Sequence, residues 1–217
     1  VKEANRKNLS MIAITDHNTA ENVEAVIKVA EKSDLYVIPG IEICTSEEVH
    51  IIALFNTIEN SRSMQELIFS NLQPGENDED LFGMQVIANE FDEVEGFNKR
   101  LLISATTLDV NTVVDTIHKL EGIALAAHID RESYSLIGQL GFIPPDLKID
   151  AIEISKNITI IEAKKRFKEY GMLPFITSSD SHELDDVGVS FTQLQLESTS
   201  FNELYLALYS ANGRQVL

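Results

Sequence analysis

Short, continuously apolar runs alternate along this chain with stretches in which apolar residues recur every three or four positions. Residues 10–15, 36–43, 49–55, 123–127, 151–154 and 174–177 are runs of the first kind. Each is too short for a stable helix and lacks strict polar alternation, which predicts strands buried on both faces. Val23, Val26, Ile27 and Ala30 share one face of a predicted helix. Asn18 is placed to cap that helix, with Glu21 three residues on in a capping-box position. Further helices are predicted over 61–72, over 109–120 with Asp109 as cap and Gly122 as stop, and over 132–140 ahead of Pro144-Pro145. A basic amphipathic helix over 160–170 ends at Gly171, and a closing helix covers 201–210. Strands joined by helices predict parallel βαβ architecture.

Three segments break the alternation. Residues 73–80 form a polar break, after which 84–88 and 101–104 flank the acidic, glycine-containing segment 89–99. The expectation is a hairpin-like insertion, about 73–105, outside the main sheet. Residues 187–196 predict a terminal strand. Residues 1–8 resemble the tail of a helix and Val1 is not an initiator residue, so a segment ahead of Val1 is expected. Internal repeats and low-complexity stretches are lacking.

Composition adds a few bounds. With 217 residues the chain can bury a full core, and one domain over 1–217 is expected. No apolar run approaches the roughly 18 residues needed to span a bilayer, and no segment resembles a signal peptide. The single cysteine, Cys44, excludes an intramolecular disulfide and fits a reducing compartment, so a cytoplasmic location is expected. The formal charge of −18 disfavours long nucleic acid, whose binding rests on cations meeting phosphates. A small phosphorylated substrate stays compatible, provided metal cations or a local arginine reverse the field in the site.

The candidate chemistry lies at the strand ends. Among the five histidines, His17, His128 and His182 fall at or just past the C-terminal end of a predicted strand. His50 opens one strand, Glu42 lies near the end of another, and His118 sits mid-helix as a surface or interface histidine. In α/β folds the loops at the carboxyl ends of strands converge on one face. Asp180 and His182, one residue apart in extended chain, project to one side and can reach a single ion. Imidazole and carboxylate at about 2.0–2.2 Å suit zinc, and mixed sets suit manganese or iron. Each residue also has a plainer explanation. His17 fits a helix-capping loop, Glu42 a solvent-facing strand position and His50 an exposed strand entrance. His128, after a buried run, must be paired, coordinated or at the rim. Asp180-Ser181-His182 fits an Asx-type turn. One shared site accounts for all six with fewer coincidences.

Thr15-Asp16-His17-Asn18, Pro39-Gly40-Ile41-Glu42-Ile43, Val49-His50-Ile51, Ala127-His128-Ile129-Asp130-Arg131 and Asp180-Ser181-His182 occur in this order. In that order they resemble the PHP (polymerase and histidinol phosphatase) domain over nearly the whole chain. The resemblance implies a distorted (β/α)7 barrel with two or three divalent metal ions (manganese, zinc or iron) at the C-terminal ends of its strands. It implies His17, Glu42, His50, His128, Asp180 and His182 as metal ligands, and Asp16 as a carboxylate behind them or an occasional ligand. Arg131 resembles a phosphate-binding residue, with a surface ion pair to Asp130 or Glu132 as the alternative. Family members open with a strand bearing His-x-His, which nothing before Ser10 matches. Six barrel strands are counted against the family's seven, so the first strand is missing from this chain.

The implied function is metal-dependent hydrolysis of a small-molecule or nucleotide phosphate monoester by a metal-bound hydroxide. Two alternatives stand beside it. One is a nuclease for short oligonucleotides or a nucleotide 3′-phosphoesterase. The other is a metal-binding regulatory module without turnover.

Overall fold

A computed structural model describes residues 1–217. Helix α1 (Lys2–Arg6) leads into strand β1 (Met11–Ile14), α2 (Val23–Ala30), β2 (Tyr36–Cys44) and β3 (His50–Leu54). Then follow α3 (Ile58–Asn71), α4 (Glu79–Phe82), the strands β4 (Val86–Ala88) and β5 (Val94–Phe97), α5 (Val110–Lys119) and β6 (Ile123–Ala126). The rest is α6 (Leu136–Leu140), β7 (Ala151–Ile154), α7 (Ile160–Arg166), β8 (Phe175–Thr177), β9 (Leu194–Gln195), α8 (Phe201–Leu208) and β10 (Gln215–Val216). No helix is long and apolar enough to cross a membrane.

The six apolar runs form one sheet in the order β1-β2-β3-β6-β7-β8. It is not fully parallel. β1–β2, β6–β7 and β7–β8 pair in parallel, but β3 runs antiparallel to both β2 and β6. The link from Cys44 to His50 is too short for the crossover that parallel strands require. It turns back at once through Glu48, whose φ is 58°. The start of β3 therefore lies level with the ends of its neighbours.

Strand pleating sorts side chains onto two faces. Ile41, Ile43, Ile51, Ala53, Ala124, Ala126, Ile152 and Ile154 join the core beneath the helices, together with Val23, Met64, Ile68, Val113, Ile117 and Ala163. The alternate positions face inward. At one end they are apolar: Ile38, Leu54, Ile123, Leu125 and Ala151, covered by Phe201, Leu204 and Leu208 of α8. At the other end they are Glu42, His50 and Glu153. The sheet curls so that its two edge strands, β1 and β8, line one cleft of about 1500 Å³. The β8 edge is partly covered, since the Thr192 hydroxyl accepts from Thr177 N at 2.8 Å and donates to Thr177 O at 2.7 Å.

Several predicted elements shift. Asn18 does not cap α2; that helix starts five residues later, and Asn18 is fully buried with φ 55°. The hairpin is real but pairs β4 with 94–97 instead of 101–104. Asn89 Oδ1 accepts from Phe91 N and Glu93 N, which reverses the chain immediately. Residues 132–135 bend without forming helix, and α6 begins only after the Ser135 cap. In 187–196 only Leu194–Gln195 is strand, because Thr192 and Ser179 side chains hold the preceding main chain. The Asp109 cap is present, and Thr159 with Glu162 forms a full capping box on α7.

Candidate metal centre

Glu42 sits at the middle of the site. The parallel β1–β2 pairing continues past β1, with Glu42 N donating to Asp16 O at 3.2 Å and Asn18 N donating to Glu42 O at 2.8 Å. This lays His17 beside Glu42, as an isolated parallel bridge between the two residues. The close approach explains Gly40, where a Cβ would lie 2.8 Å from Thr15 Cγ2 and 3.0 Å from the carbonyl oxygens of Ile14 and Ala53. Asn18 locks the loop from behind, accepting from Cys44 N and donating to Leu102 O and Ser104 O.

Four predicted residues converge. His17 Nδ1 lies 3.2 Å and His50 Nδ1 3.1 Å from the Glu42 carboxylate, and His128 Nε2 lies 3.5 Å from it. One donor atom from each of His17, Glu42 and His50 falls within 4.8 Å of the others. His50 Nδ1 and His128 Nε2 are 3.4 Å apart, and His128 Nδ1 is buried without a partner. Burial alone would push the Glu42 carboxyl up, but hydrogen bonds from His128 and His50 and the nearby imidazoles hold it well below the usual range. Burial pushes the His17 imidazole down, in part against the Glu42 charge. These are a carboxylate kept ionised and an imidazole kept neutral, the states in which both offer lone pairs to a cation. Imidazole nitrogens crowding one carboxylate in a buried pocket fit a divalent metal ion.

The remaining predicted residues stand at the rim. Asp180 Oδ2 pairs with Arg131 Nη2 at 2.7 Å, so Arg131 bridges to the opposite loop instead of pairing with Asp130 or Glu132. Asp130 is occupied elsewhere, accepting from Ser155 N and Oγ. His182 is 66% exposed, with its ring 6.1 Å from that of His17. Asp16, half-buried, accepts from Asn22 Nδ2 at 3.3 Å, and burial pushes its carboxyl up. His118 lies outside the site. It is not a free surface histidine, because its Nε2 meets the buried Asp150 carboxylate at 2.9 Å.

Three neighbours escaped the sequence reading. Tyr134 stacks on His50 with ring centres 4.6 Å apart, and its carbonyl accepts from His50 N at 2.8 Å. Ile103, from the insertion, lines the pocket of about 220 Å³ that holds His17, Glu42, His50, His128, Arg131, Asp180 and His182. Glu153 occupies the inner face of β7. Its setting, Ile152-Glu153-Ile154, repeats Ile41-Glu42-Ile43 and is the signal that could have marked it.

The PHP domain model matches residues 1–142, which contain the four convergent residues, and a PHP-associated model matches 162–212. The chain belongs to the PHP domain family. Among curated proteins, this PHP chain is 26% identical over 106 residues to the uncharacterized protein YqxK of Bacillus subtilis, covering 46% of the chain and 27% of that protein. Among solved structures, it is similar to the lesion-specific endonuclease EndoQ of Pyrococcus furiosus, with a TM-score of 0.75 and 16% identity. That match covers 99% of the PHP chain and 51% of the endonuclease, so the chain spans about half of that protein. A proposed metal-dependent phosphoesterase from Bifidobacterium adolescentis matches with a TM-score of 0.60 and 15% identity, over 97% of this chain and 89% of that one. These likenesses bear out the distorted-barrel fold class.

Proposed function

We propose that this PHP domain is a metal-dependent hydrolase of phosphoesters. The observation that carries the reading is the convergence of three imidazoles on the buried Glu42 carboxylate, within a PHP fold. His17, Glu42, His50 and His128 would hold the first ion, and Asp180 and His182 would serve a neighbouring position from the rim. Asp16, behind His17, would orient it or join as an occasional ligand. Bound divalent ions supply Lewis acidity, acidify water and neutralise phosphate charge. The chain's own residues do the rest. Arg131 would exchange Asp180 for a substrate phosphate and offer a bidentate fork. Tyr134 and Ile103 would exclude water from one side of the small pocket.

Residues 1–217 would act as one unit, since α8 from the C-terminal region seals the inner face of β2, β3, β6 and β7. The substrate we favour is a small-molecule or nucleotide phosphate monoester, in keeping with the charge of −18. A second reading, cleavage of short oligonucleotides, is favoured by another observation. The EndoQ structure holding a 27-mer duplex with an abasic lesion at its active site matches 99% of this chain with a TM-score of 0.74. The test is metal analysis of the full-length protein, followed by turnover of a phosphate-monoester panel, mononucleotides and short single-stranded and abasic-site oligonucleotides with added manganese. Monoester turnover supports the favoured reading, and oligonucleotide cleavage alone moves the assignment to the second. Bound metal without turnover identifies a silent regulatory module. Neither bound transition metal nor manganese-stimulated turnover would sink the hydrolase reading.

A further inference from the structure

Glu153 is a second buried carboxylate on the inner face, and the site described above gives it no task. It is 3% exposed. One carboxylate oxygen accepts the main-chain N–H of His128 at 3.1 Å, and the other accepts the Ser178 hydroxyl. Its main-chain oxygen also accepts Ile129 N at 2.9 Å. His128 has φ 27°, a left-handed conformation that costs a non-glycine residue free energy and persists only where its surroundings enforce it. The chain ends of β6 and β7 are stitched a second time, with Asp130 accepting Ser155 N at 2.7 Å and Ser155 Oγ at 2.6 Å. Ser178 lies two residues before Asp180, which itself has φ 47°. One carboxylate therefore reaches the exits of both β6 and β8.

We propose that Glu153 is a positioning residue, which fixes the His128 main chain on one side and the 178–182 loop on the other. Its two carboxylate oxygens are engaged by the His128 N–H and the Ser178 hydroxyl. By holding two strand exits at one spacing, it sets the distance between His128 and the Asp180–His182 pair. The proposal rests on the metal-centre reading above. Groups that orient metal ligands are worth about 10–100-fold in affinity or activity.

The experiment compares Glu153→Ala, Glu153→Gln and Ser178→Ala in the full-length protein. Manganese affinity is read by titration calorimetry, and hydrogen exchange at the His128 amide is read in metal-free protein. Alanine is expected to weaken manganese binding about 10–100-fold and to accelerate exchange at His128. Glutamine keeps an oxygen for the His128 N–H and is expected to restore most of both, with Ser178→Ala between them. Wild-type manganese affinity in a destabilised Glu153→Ala protein would overturn the proposal, as would a glutamine variant as impaired as alanine. Where the alanine variant does not fold, the other two decide: a weakened Ser178→Ala beside a near-normal Glu153→Gln supports the role, and two unaffected proteins overturn it. Should wild-type protein bind no manganese, the metal reading fails by itself. Exchange at His128 then decides, and exchange unchanged by the substitutions overturns the role of Glu153.

Discussion

Asn18→Ala tests how the loop carrying His17 is held. The amide of Asn18 makes three hydrogen bonds, two of them buried, to Leu102 O at 2.8 Å and Cys44 N at 3.1 Å, and one part-buried, to Ser104 O at 2.9 Å. Each net bond is worth about 1 kcal/mol, and a buried donor left unsatisfied, here Cys44 N–H, costs about 1–3 kcal/mol. Alanine must also hold φ 55°, a conformation that asparagine tolerates and that costs other residues about 1–2 kcal/mol. Allowing for overlap among these contributions, the expected loss is about 3–5 kcal/mol. Urea unfolding of wild type and variant, with unchanged m-values, measures it. Deleting a helix cap costs only about 1 kcal/mol. A measured loss of that size would refute the clamp and restore the capping role that the sequence suggested.

Three further outcomes are expected. Glu42→Gln removes the carboxylate at the centre of the imidazoles, so metal content after gel filtration should fall to background while the far-ultraviolet circular dichroism stays unchanged. Gly40→Ala places a Cβ against two carbonyl oxygens and Thr15 Cγ2, and should cost about 1–3 kcal/mol in denaturant unfolding. His118 has its pKa raised by its hydrogen bond and charge pairing with Asp150, partly offset by burial. The stability it adds is therefore fully present below the unfolded-state value near about 6.5 and fades as pH rises through the higher folded value. The stability gap between wild type and His118→Gln should be larger at pH 5.5 than at pH 9; a gap independent of pH would contradict the pairing.

Where the sequence was legible, continuous apolar runs made it so. All six strands of the main sheet coincide with such runs within one or two residues; burial on both faces explains this for β2, β3, β6 and β7, whereas the edge strands β1 and β8 are only partly buried. Direction was not legible. An apolar run reads the same for a parallel or antiparallel strand, and only the short Cys44–His50 link hinted that β3 reverses. That reversal is what brings His50, at the start of its strand, to the end where His17, Glu42 and His128 gather. Asn18 misled because an asparagine before a helical pattern suits a cap as well as a left-handed loop residue. The site pattern exposed Glu42 but not Glu153, although both sit between isoleucines in a buried strand. Tyr134 carried no signal, since its stacking on His50 depends on a loop conformation that no local periodicity encodes.

The seal that α8 places over the inner face has a consequence for biogenesis. Ile38, Leu54, Ile123, Leu125 and Ala151 have all left the ribosome before Phe201, Leu204 and Leu208 are made. At about 5–20 residues per second, the 49 residues between Ala151 and Phe201 take seconds to synthesise. Until α8 is made, the strands already released present an apolar floor that nothing in the fold yet covers. Chains stalled within that window would be chaperone clients, although His17, Glu42, His50 and His128 are already complete in sequence.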